Sequence, residues 1–223
     1  SVPMHWLHVD RARLADGVRR AEPLDLWWWP EALYPPAAGR RQRTDTILRT
    51  LLAPYLALAP EQLRFGREPH GRPFLQHAGA PDFNLSDTTG GTALAIAAHG
   101  RVGVDIERRD RAVAVQALAD RWFAAEEADR LRALAPGAAR LAFLHLWTAK
   151  EAACKATGTG IRAPLTLAGI GVGHNAAGRP QFELGEIVAE HLRTLGVQQT
   201  HLSISDEQDY AVAFVVFEGR PAG

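Results

Sequence analysis

The sequence predicts an α+β fold of two similar lobes related by a pseudo-twofold axis, each a small antiparallel sheet with a packed long helix. The first observation behind this prediction is an internal repeat. Gly-Arg-Pro at residues 71–73 recurs at 178–180, and Leu-Ser-Asp at 85–87 recurs as Ile-Ser-Asp at 204–206. The second observation is that an apolar strand pattern follows the Ser-Asp pair in both copies. Two such lobes packed face to face would hold a cleft between them, where ligand sites are common.

At 223 residues the chain is long enough for one large domain or two small lobes. We divide it into an N-terminal lobe, 1–101, and a C-terminal lobe, 102–223, that together form one compact unit. The 25 Lys and Arg residues balance the 25 Asp and Glu residues, which argues against a protein that coats nucleic acid.

The single cysteine excludes an internal disulfide and is consistent with a reducing compartment. No apolar run approaches the roughly 18 residues that a membrane span needs, and the first residues lack a signal-peptide pattern. We therefore expect a soluble cytoplasmic protein without a membrane partner.

The N-terminal lobe begins with an alternating pattern at residues 6–10, which predicts a strand. The apolar block at 24–29 contains three adjacent tryptophans. A stacking platform for bases or sugars is one interpretation, but core packing is favoured because adjacent side chains point in different directions. Apolar residues recurring from Ile47 to Leu56 predict a helix, with Pro54 near a kink or its end.

Two segments of this lobe have both a functional and a structural interpretation, and two others predict structure alone. The arginines at 40, 41 and 43 could bind an anion at the start of the helix or form a solvated face. The loop at 83–91 could offer backbone N–H groups to a phosphate, although an ordinary hairpin turn is favoured. Residues 71–75 predict a turn entering a strand, and 92–98 predict a buried strand.

Residues 101–107 alternate between apolar and other side chains, which predicts a strand. Asp105 and Glu107 then lie on one face, about 7 Å apart along the strand. A solvated strand face is the simpler interpretation. The alternative is a cation between the two carboxylates, because neighbouring like charges repel each other.

Helices dominate the next part of the chain. Residues 112–134 predict a helix-turn-helix in which Glu126 and Glu127 suit the N-terminus of the second helix. Residues 138–157 predict the central helix, with glycines 158 and 160 after it. Residues 161–217 predict strands and turns apart from a helix near 186–195, and the tail at 218–223 is predicted to fray.

The central helix carries an acid and a base on one stripe. Trp147, Glu151 and Lys155 recur at steps of four residues, which places their side chains on one face. Taken alone, a Glu-Lys pair at this spacing is most often a surface ion pair worth a few tenths of a kcal/mol.

Three motifs, in this order, closely resemble those of the 4′-phosphopantetheinyl transferases. They are Phe-Asn-Leu-Ser at 83–86, Gly-Val-Asp-Ile-Glu at 103–107 and Trp-Thr-Ala-Lys-Glu-Ala-Ala-Cys-Lys at 147–155. The resemblance is to the larger, single-chain, pseudo-dimeric class typified by the surfactin synthetase activator. It implies an active site at the lobe interface and a monomer, since both half-sites lie in one chain.

The resemblance also implies an activity. Such enzymes move the phosphopantetheine arm of coenzyme A to a serine of an apo acyl or peptidyl carrier protein and release adenosine 3′,5′-bisphosphate. Mapped residue by residue, Asp105, Glu107 and Glu151 match the Mg²⁺ ligands, and Mg²⁺ prefers such oxygen donors. Lys155 would contact the pyrophosphate, and Glu127 matches the general base for the carrier serine.

Further positions match those that hold the nucleotide end of coenzyme A: Arg40, Arg72, Pro73 and Ser86. Asp87 stands where the family usually has a histidine beside the 3′-phosphate. At about 5 Å and an effective dielectric near 20, a carboxylate and a phosphate charge repel by about 3 kcal/mol. We expect either that nearby arginines compensate or that the loop turns Asp87 away.

Three other residues of the central helix are expected to have lesser roles. Trp147 and Lys150 would shape the cleft, with Lys150 also able to touch the carrier or the ligand. Cys154 is expected to be a packed thiol, because no base partner is evident in the sequence.

Two other function classes compete with the transferase. One is a metal-dependent phosphodiesterase or nuclease built on Asp105, Glu107 and Lys155, against which the balanced charge counts. The other is a non-enzymatic module that binds carrier domains or coenzyme A. The presence of all three acids and both lysines disfavours it.

Overall fold

The structure is a computed structural model, and it describes residues 4–8, 24–30, 39–207 and 209–219. The strands are β1 Met4–His8, β2 Leu24–Pro30, β3 Phe65–Arg67, β4 Pro73–Leu75, β5 Asp82–Thr88, β6 Gly91–Ala97, β7 Arg101–Arg108, β8 Ile170–His174, β9 Pro180–Leu184, β10 Val197–Glu207 and β11 Tyr210–Gly219. The helices are α1 Arg40–Leu56, α2 Val115–Trp122, α3 Ala125–Arg132, α4 Pro136–Thr157 and α5 Glu186–Thr194, with a 3-10 turn at Pro60–Gln62.

The strands form two principal antiparallel sheets. The first sheet has the order β1-β2-β6-β5, and the second has the order β10-β11-β7. Two short hairpins, β3-β4 and β8-β9, stand beside them. The predicted α+β class with small antiparallel sheets and helices is confirmed.

The two principal sheets pack on each other, and each is covered by a helix on its outer side. Alternate alanines of β6 contact the apolar face of β7 and β11 between the sheets. The other face of the first sheet packs on α1, and the other face of the second sheet packs on α4. The layers therefore run α1, first sheet, second sheet, α4, and short alanine side chains allow the sheets to approach closely.

The tryptophan block belongs to the core. Trp28 is 2% exposed and lies between the sheets, whereas Trp29 is 3% exposed and lies on the α1 side. Neighbouring residues of a strand point to opposite faces, so the block fills two core layers at once. The core-packing interpretation is confirmed.

The two sheets also meet along one edge, and we call this line of contacts between β5 and β7 the seam. Alternate side chains of β5 accept hydrogen bonds from alternate backbone N–H groups of β7. The pairs are Val102 N to Asp82 Oδ2 at 2.7 Å, Val104 N to Asn84 Oδ1 at 2.9 Å and Ile106 N to Ser86 Oγ at 3.2 Å. Side chains thus do for this edge of β7 what a neighbouring strand does elsewhere in a sheet.

Several element boundaries differ from the predictions. Helix α1 begins at Arg40 rather than near Ile47, because its polar first turns carry no apolar period. Strand β11 continues through Glu218 and Gly219, which pair with β10, so this part of the tail is not frayed. The predicted strand at 6–10 is β1 at Met4–His8, and Asp10 lies outside the described residues. Within the described ranges, every helix is too short or too polar to cross a membrane.

Gly103 brings β7 and α4 into close contact. A Cβ atom at this position would lie 1.9 Å from the carbonyl oxygen of Ala152 and 3.0 Å from the backbone nitrogen of Ala156. Both neighbours are helix backbone, so any side chain here must push α4 away from the strand. The glycine of the Gly-Val-Asp-Ile-Glu motif is therefore required by packing.

We expect Gly103→Ala to lower the free energy of unfolding by about 1–3 kcal/mol or more, because overpacking at a rigid contact forces the backbone to shift. Thermal unfolding followed by circular dichroism measures the loss. The matched control is Gly137→Ala in α4, where an added Cβ would meet nothing within 4 Å and where alanine favours the helix. Equal melting temperatures for Gly103→Ala and the unsubstituted protein would contradict the close contact.

Candidate active site

Three of the predicted site acids come from two packed elements. Asp105 and Glu107 lie on the face of β7 that also carries Gly103, which is the face covered by α4. Glu151 lies on α4 and is half-buried. Burial and neighbouring charges shift the pKa values of Asp105 and Glu151.

Asp105 is the most constrained of the acids. Its Oδ1 accepts a hydrogen bond from Ser86 Oγ at 3.2 Å, whereas its Oδ2 is buried and has no hydrogen-bond partner. Burial raises the pKa of Asp105 to about 8, the nearby Lys155 ammonium opposes the shift, and the charges of Glu107 and Glu151 add to it. A buried carboxylate oxygen without a donor is unusual, and it indicates a missing cationic or hydrogen-bonding ligand.

Glu107 and Glu151 are neighbours of Asp105, but the three carboxylates are not gathered at one point. Glu107 forms an ion pair with Arg111 at 2.8 Å. Burial and the charge of Glu107 raise the pKa of Glu151, while Lys155 opposes this shift. In the described part of the chain, no three His, Cys, Asp or Glu side chains form a ready-made metal cluster. The expectation that all three acids already converge is thus corrected, because Arg111 holds one of them.

Lys155 joins the helix to the seam. Its Nζ donates to the carbonyl oxygens of Leu85 on β5 at 2.7 Å and of Val104 on β7 at 2.8 Å. Burial lowers its pKa, and the charges of Asp105 and Glu151 oppose this effect. Two of the three ammonium donors are used within the protein, so one remains for a ligand at the acids.

Arg72 makes its hydrogen bonds to other groups of the protein. Its Nη1 and Nη2 bind the two carboxylate oxygens of Asp82 at 2.8 and 2.7 Å, Nη2 also donates to Val102 O at 2.7 Å, and Nε donates to Lys155 O at 3.1 Å. Its side chain is 4% exposed. The protein thus uses four of the five N–H donors of Arg72, and its contact with the nucleotide end of coenzyme A stays a prediction.

The other residues expected at the nucleotide end occupy different positions. Ser86 is buried between Asp105 and the backbone of β7, and Pro73 is half-buried at the start of β4. Asp87 is exposed at the end of β5, accepts a hydrogen bond from Thr92 Oγ1 at 2.6 Å and raises the pKa of Lys155 by its charge. Arg40 opens α1, and its side chain lies outside the described residues.

Glu127 lies in the core. It is 3% exposed, and its Oε1 accepts a hydrogen bond from the fully buried Lys150 ammonium at 2.7 Å. The same ammonium donates to the carbonyl oxygens of Leu167 and Ile170, both at 2.7 Å, and lies over the Phe123 ring. In this structure Glu127 is thus engaged in a buried ion pair, and its role as a general base stays a prediction.

Lys150 is likewise a core residue rather than part of a cleft wall, and burial lowers its pKa against the opposing charge of Glu127. Cys154 is buried nearby, and burial raises the pKa of its thiol to about 12. A thiol with so high a pKa is not a nucleophile at neutral pH, which agrees with the packed-thiol expectation.

Asp82 and Asn84 are site residues that the sequence analysis did not single out. The signal was present, since Asp82, Asn84 and Ser86 alternate with the apolar Phe83 and Leu85. A period-two polar face on a strand beside a buried edge indicates acceptors for that edge. What a sequence cannot reveal is that the edge belongs to β7, twenty residues further along the chain.

Comparison with known proteins supports the superfamily but not the larger pseudo-dimeric class within it. Residues 101–215 match the 4′-phosphopantetheinyl transferase superfamily. The holo-[acyl-carrier-protein] synthase of Laribacter hongkongensis is 45% identical over 104 residues, which cover 47% of this chain and 82% of that protein. The synthase of Nitrosomonas europaea is 39% identical over 118 residues, covering 53% and 89%.

Two solved structures are also similar to about half of this chain. A crystal structure of the holo-[acyl-carrier-protein] synthase from Neisseria meningitidis has 36% identity and a TM-score of 0.47, and it covers 53% of this chain and 97% of that chain. A synthase from Bacillus anthracis in complex with CoA (3′,5′-ADP) has 27% identity and a TM-score of 0.42, and it covers 54% and 96%.

The two strand acids, the helix acid and Lys155 all lie within the region of the chain that matches this superfamily. The chain belongs to the 4′-phosphopantetheinyl transferase superfamily, because the match spans more than half of its residues. The predicted enzyme class is thereby confirmed. The relatives are holo-[acyl-carrier-protein] synthases, and the match begins only at residue 101.

We expect Glu127→Gln to lower the free energy of unfolding by about 3–5 kcal/mol, because it leaves the Lys150 ammonium buried without its counter-charge. Thermal unfolding measures the effect, and the exposed neighbour in Glu126→Gln is the matched control. Replacing both partners in Glu127→Leu with Lys150→Met should recover much of the loss. A rate defect of Glu127→Gln at unchanged stability would instead support the general-base role.

Proposed function

We propose that this chain transfers the 4′-phosphopantetheine arm of coenzyme A to a serine of an apo carrier protein and releases adenosine 3′,5′-bisphosphate. The observation that carries the proposal is the buried, partnerless Oδ2 of Asp105 beside Glu107, Glu151 and Lys155. The relatives named holo-[acyl-carrier-protein] synthase support an acyl carrier protein as the acceptor. A peptidyl carrier protein is the second acceptor to be tested.

The donor set fits a hard divalent cation, which we propose to be Mg²⁺. Asp105 offers an unsatisfied oxygen, and Glu107 and Glu151 raise its pKa by their charge, so a cation among them relieves like-charge repulsion. We propose these three acids as the ligands, with Glu107 exchanging Arg111 for the metal. When bound, the cation supplies positive charge to the pyrophosphate of coenzyme A.

Lys155 is the second positive charge that we propose at the pyrophosphate. The helix and the two carbonyl bonds hold its ammonium next to Asp105 and Glu151, so no reorganisation is needed when charge develops on the leaving phosphate. The remaining donor of Nζ is the one available to that oxygen. We keep Glu127 as the proposed general base, which would require it to exchange the Lys150 ammonium for the carrier serine.

We also propose that the chain belongs to the larger, single-chain, pseudo-dimeric class and acts as a monomer in the cytoplasm. The first sheet contributes Ser86 to Asp105 and Leu85 O to Lys155, so residues before 101 complete the centre that the family region carries. Lobes at 1–101 and 102–223 are consistent with this division of roles. The sheets packed face to face with α1 and α4 outside support the proposed pseudo-symmetry.

Substitution of the acids tests the proposed centre. Asp105→Asn and Glu151→Gln should abolish transfer, because each removes a proposed metal ligand, while the melting temperature stays equal or rises because a carboxyl group with a raised pKa is replaced by a neutral amide. Lys155→Ala should lower the rate by about 10²–10³-fold. Mass spectrometry of apo acyl and peptidyl carriers after incubation with coenzyme A and Mg²⁺ is the measurement.

Glu190→Gln, an exposed change on α5, is the control and should transfer at the normal rate. Near-normal turnover of Asp105→Asn at saturating Mg²⁺ would contradict the ligand assignment. Binding of coenzyme A without release of the nucleotide bisphosphate would favour a non-enzymatic module.

The exposed Asp87 beside Lys155 makes recognition of the 3′-phosphate a separate test. Two like charges about 5 Å apart repel by about 3 kcal/mol at an effective dielectric near 20, so we expect 3′-dephospho-coenzyme A to be preferred over coenzyme A. Asp87→His should shift that preference toward coenzyme A. Competition kinetics with the two donors measures this preference. A strong preference of the unsubstituted protein for coenzyme A would show that arginines at the start of α1 compensate.

A further inference from the structure

We infer that Arg72 is a positioning residue: together with Asp82 it locks the end of α4 that carries Lys155 against the strand that carries Asp105, and it does not contact the nucleotide. The lock itself is a structural claim. Its consequence for catalysis rests on the proposed function, and hydrogen exchange tests the lock independently of activity.

The guanidinium of Arg72 has almost no hydrogen-bonding capacity left for a ligand. Four of its five N–H donors make hydrogen bonds within the protein, two to Asp82 and one each to Val102 O and Lys155 O. The side of the guanidinium at Nη1 also lies 3.7 Å from a Glu68 carboxylate oxygen. A cation that is 4% exposed and faces two carboxylates has neither the donors nor the net charge to recruit a phosphate.

Arg72 contacts α4 at its C-terminal end. Carbonyl groups in the last turn of a helix lack partners within the helix and carry partial negative charge, so a cation there is stabilising. Arg72 Nε donates to the carbonyl of Lys155, and Arg101 Nε donates to that of Ala156 at 3.0 Å. The carboxylate of Asp82 binds Arg72, and that of Glu68 binds Arg101.

The Arg72–Asp82 pair also binds the backbone of β7. Asp82 Oδ2 accepts from Arg72 Nη2 and from the backbone N–H of Val102, both at 2.7 Å, and Arg72 returns a hydrogen bond to Val102 O. One arginine and one aspartate therefore satisfy both backbone groups of Val102. This residue lies three positions before Asp105 on the same strand, so movement at Val102 is transmitted to Asp105.

Lys155 is consequently held from both sides. Arg72 fixes its main-chain carbonyl, and Leu85 O and Val104 O fix its ammonium. A displacement of about 1 Å at a reacting group can cost about 10²-fold in rate. Loss of the lock should therefore lower the rate of the bound complex rather than the affinity for the donor.

The test uses Arg72→Lys and Asp82→Asn, singly and together, in the full chain. Lysine keeps the charge but lacks the planar guanidinium that binds both carboxylate oxygens of Asp82, and asparagine keeps the shape of aspartate without its charge. The control is Arg193→Lys on α5, which disturbs an exposed ion pair with Glu190. The measurements are hydrogen exchange of the ligand-free protein, thermal unfolding, and kcat and KM with coenzyme A and 3′-dephospho-coenzyme A.

A lock predicts faster exchange at the end of α4 and in β7 for both single variants, with a double variant no worse than either, since the two residues act as one unit. It also predicts a fall in kcat of about 10- to 100-fold with KM for each donor within about twofold. A nucleotide contact predicts the opposite: unchanged exchange, a raised KM for coenzyme A alone and a neutral Asp82→Asn. That set of results would overturn the inference.

The exchange and unfolding measurements need no activity, so they test the lock even if the unsubstituted chain transfers nothing. In that case the proposed function fails while the lock stands or falls on exchange alone. If the chain is active and exchange is unchanged in both variants, the lock fails while the proposed function stands.

Discussion

The structure depends on how the free edge of β7 is satisfied. This strand carries Asp105 and Glu107 and is the last strand of the second sheet, so its outer N–H and C=O groups lack a partner strand. An unpaired buried backbone group costs free energy comparable to a lost hydrogen bond. Side chains meet this demand: those of β5 accept from the N–H groups, while Arg72 and Lys155 donate to the carbonyls of Val102 and Val104.

That solution ties the chemistry to the joint between the sheets. A neighbouring strand would have closed the edge with backbone alone and left no polar side chains at the acids. Here Ser86 bonds both the backbone of β7 and Asp105, and Lys155 bonds both strands while its charge acts on the carboxylates. The same contacts that hold the two sheets together therefore orient the proposed catalytic groups.

Two groups of buried charge in this protein show different physical outcomes. All three N–H donors of the Lys150 ammonium and both carboxylate oxygens of Glu127 make hydrogen bonds. The pair stabilises the packing of α3 against α4. Asp105 is half-buried, its buried Oδ2 has no hydrogen-bond partner and like charges lie nearby, which is unfavourable for folding. An arrangement that costs stability and has no structural benefit is what a ligand-binding centre is expected to show.

The sequence by itself determined the α+β class, the core position of the tryptophans, the length of the central helix and the placement of Asp105 and Glu107 on one strand face. Each follows from a local period or a short motif, which acts within a few residues. It did not determine the environment of Glu127 and Arg72, because identical side chains bind a phosphate or close an ion pair according to which distant group faces them. Only the tertiary structure brought Lys150 to Glu127 and Asp82 with Lys155 to Arg72, since burial and partner geometry arise from packing between elements far apart in the chain.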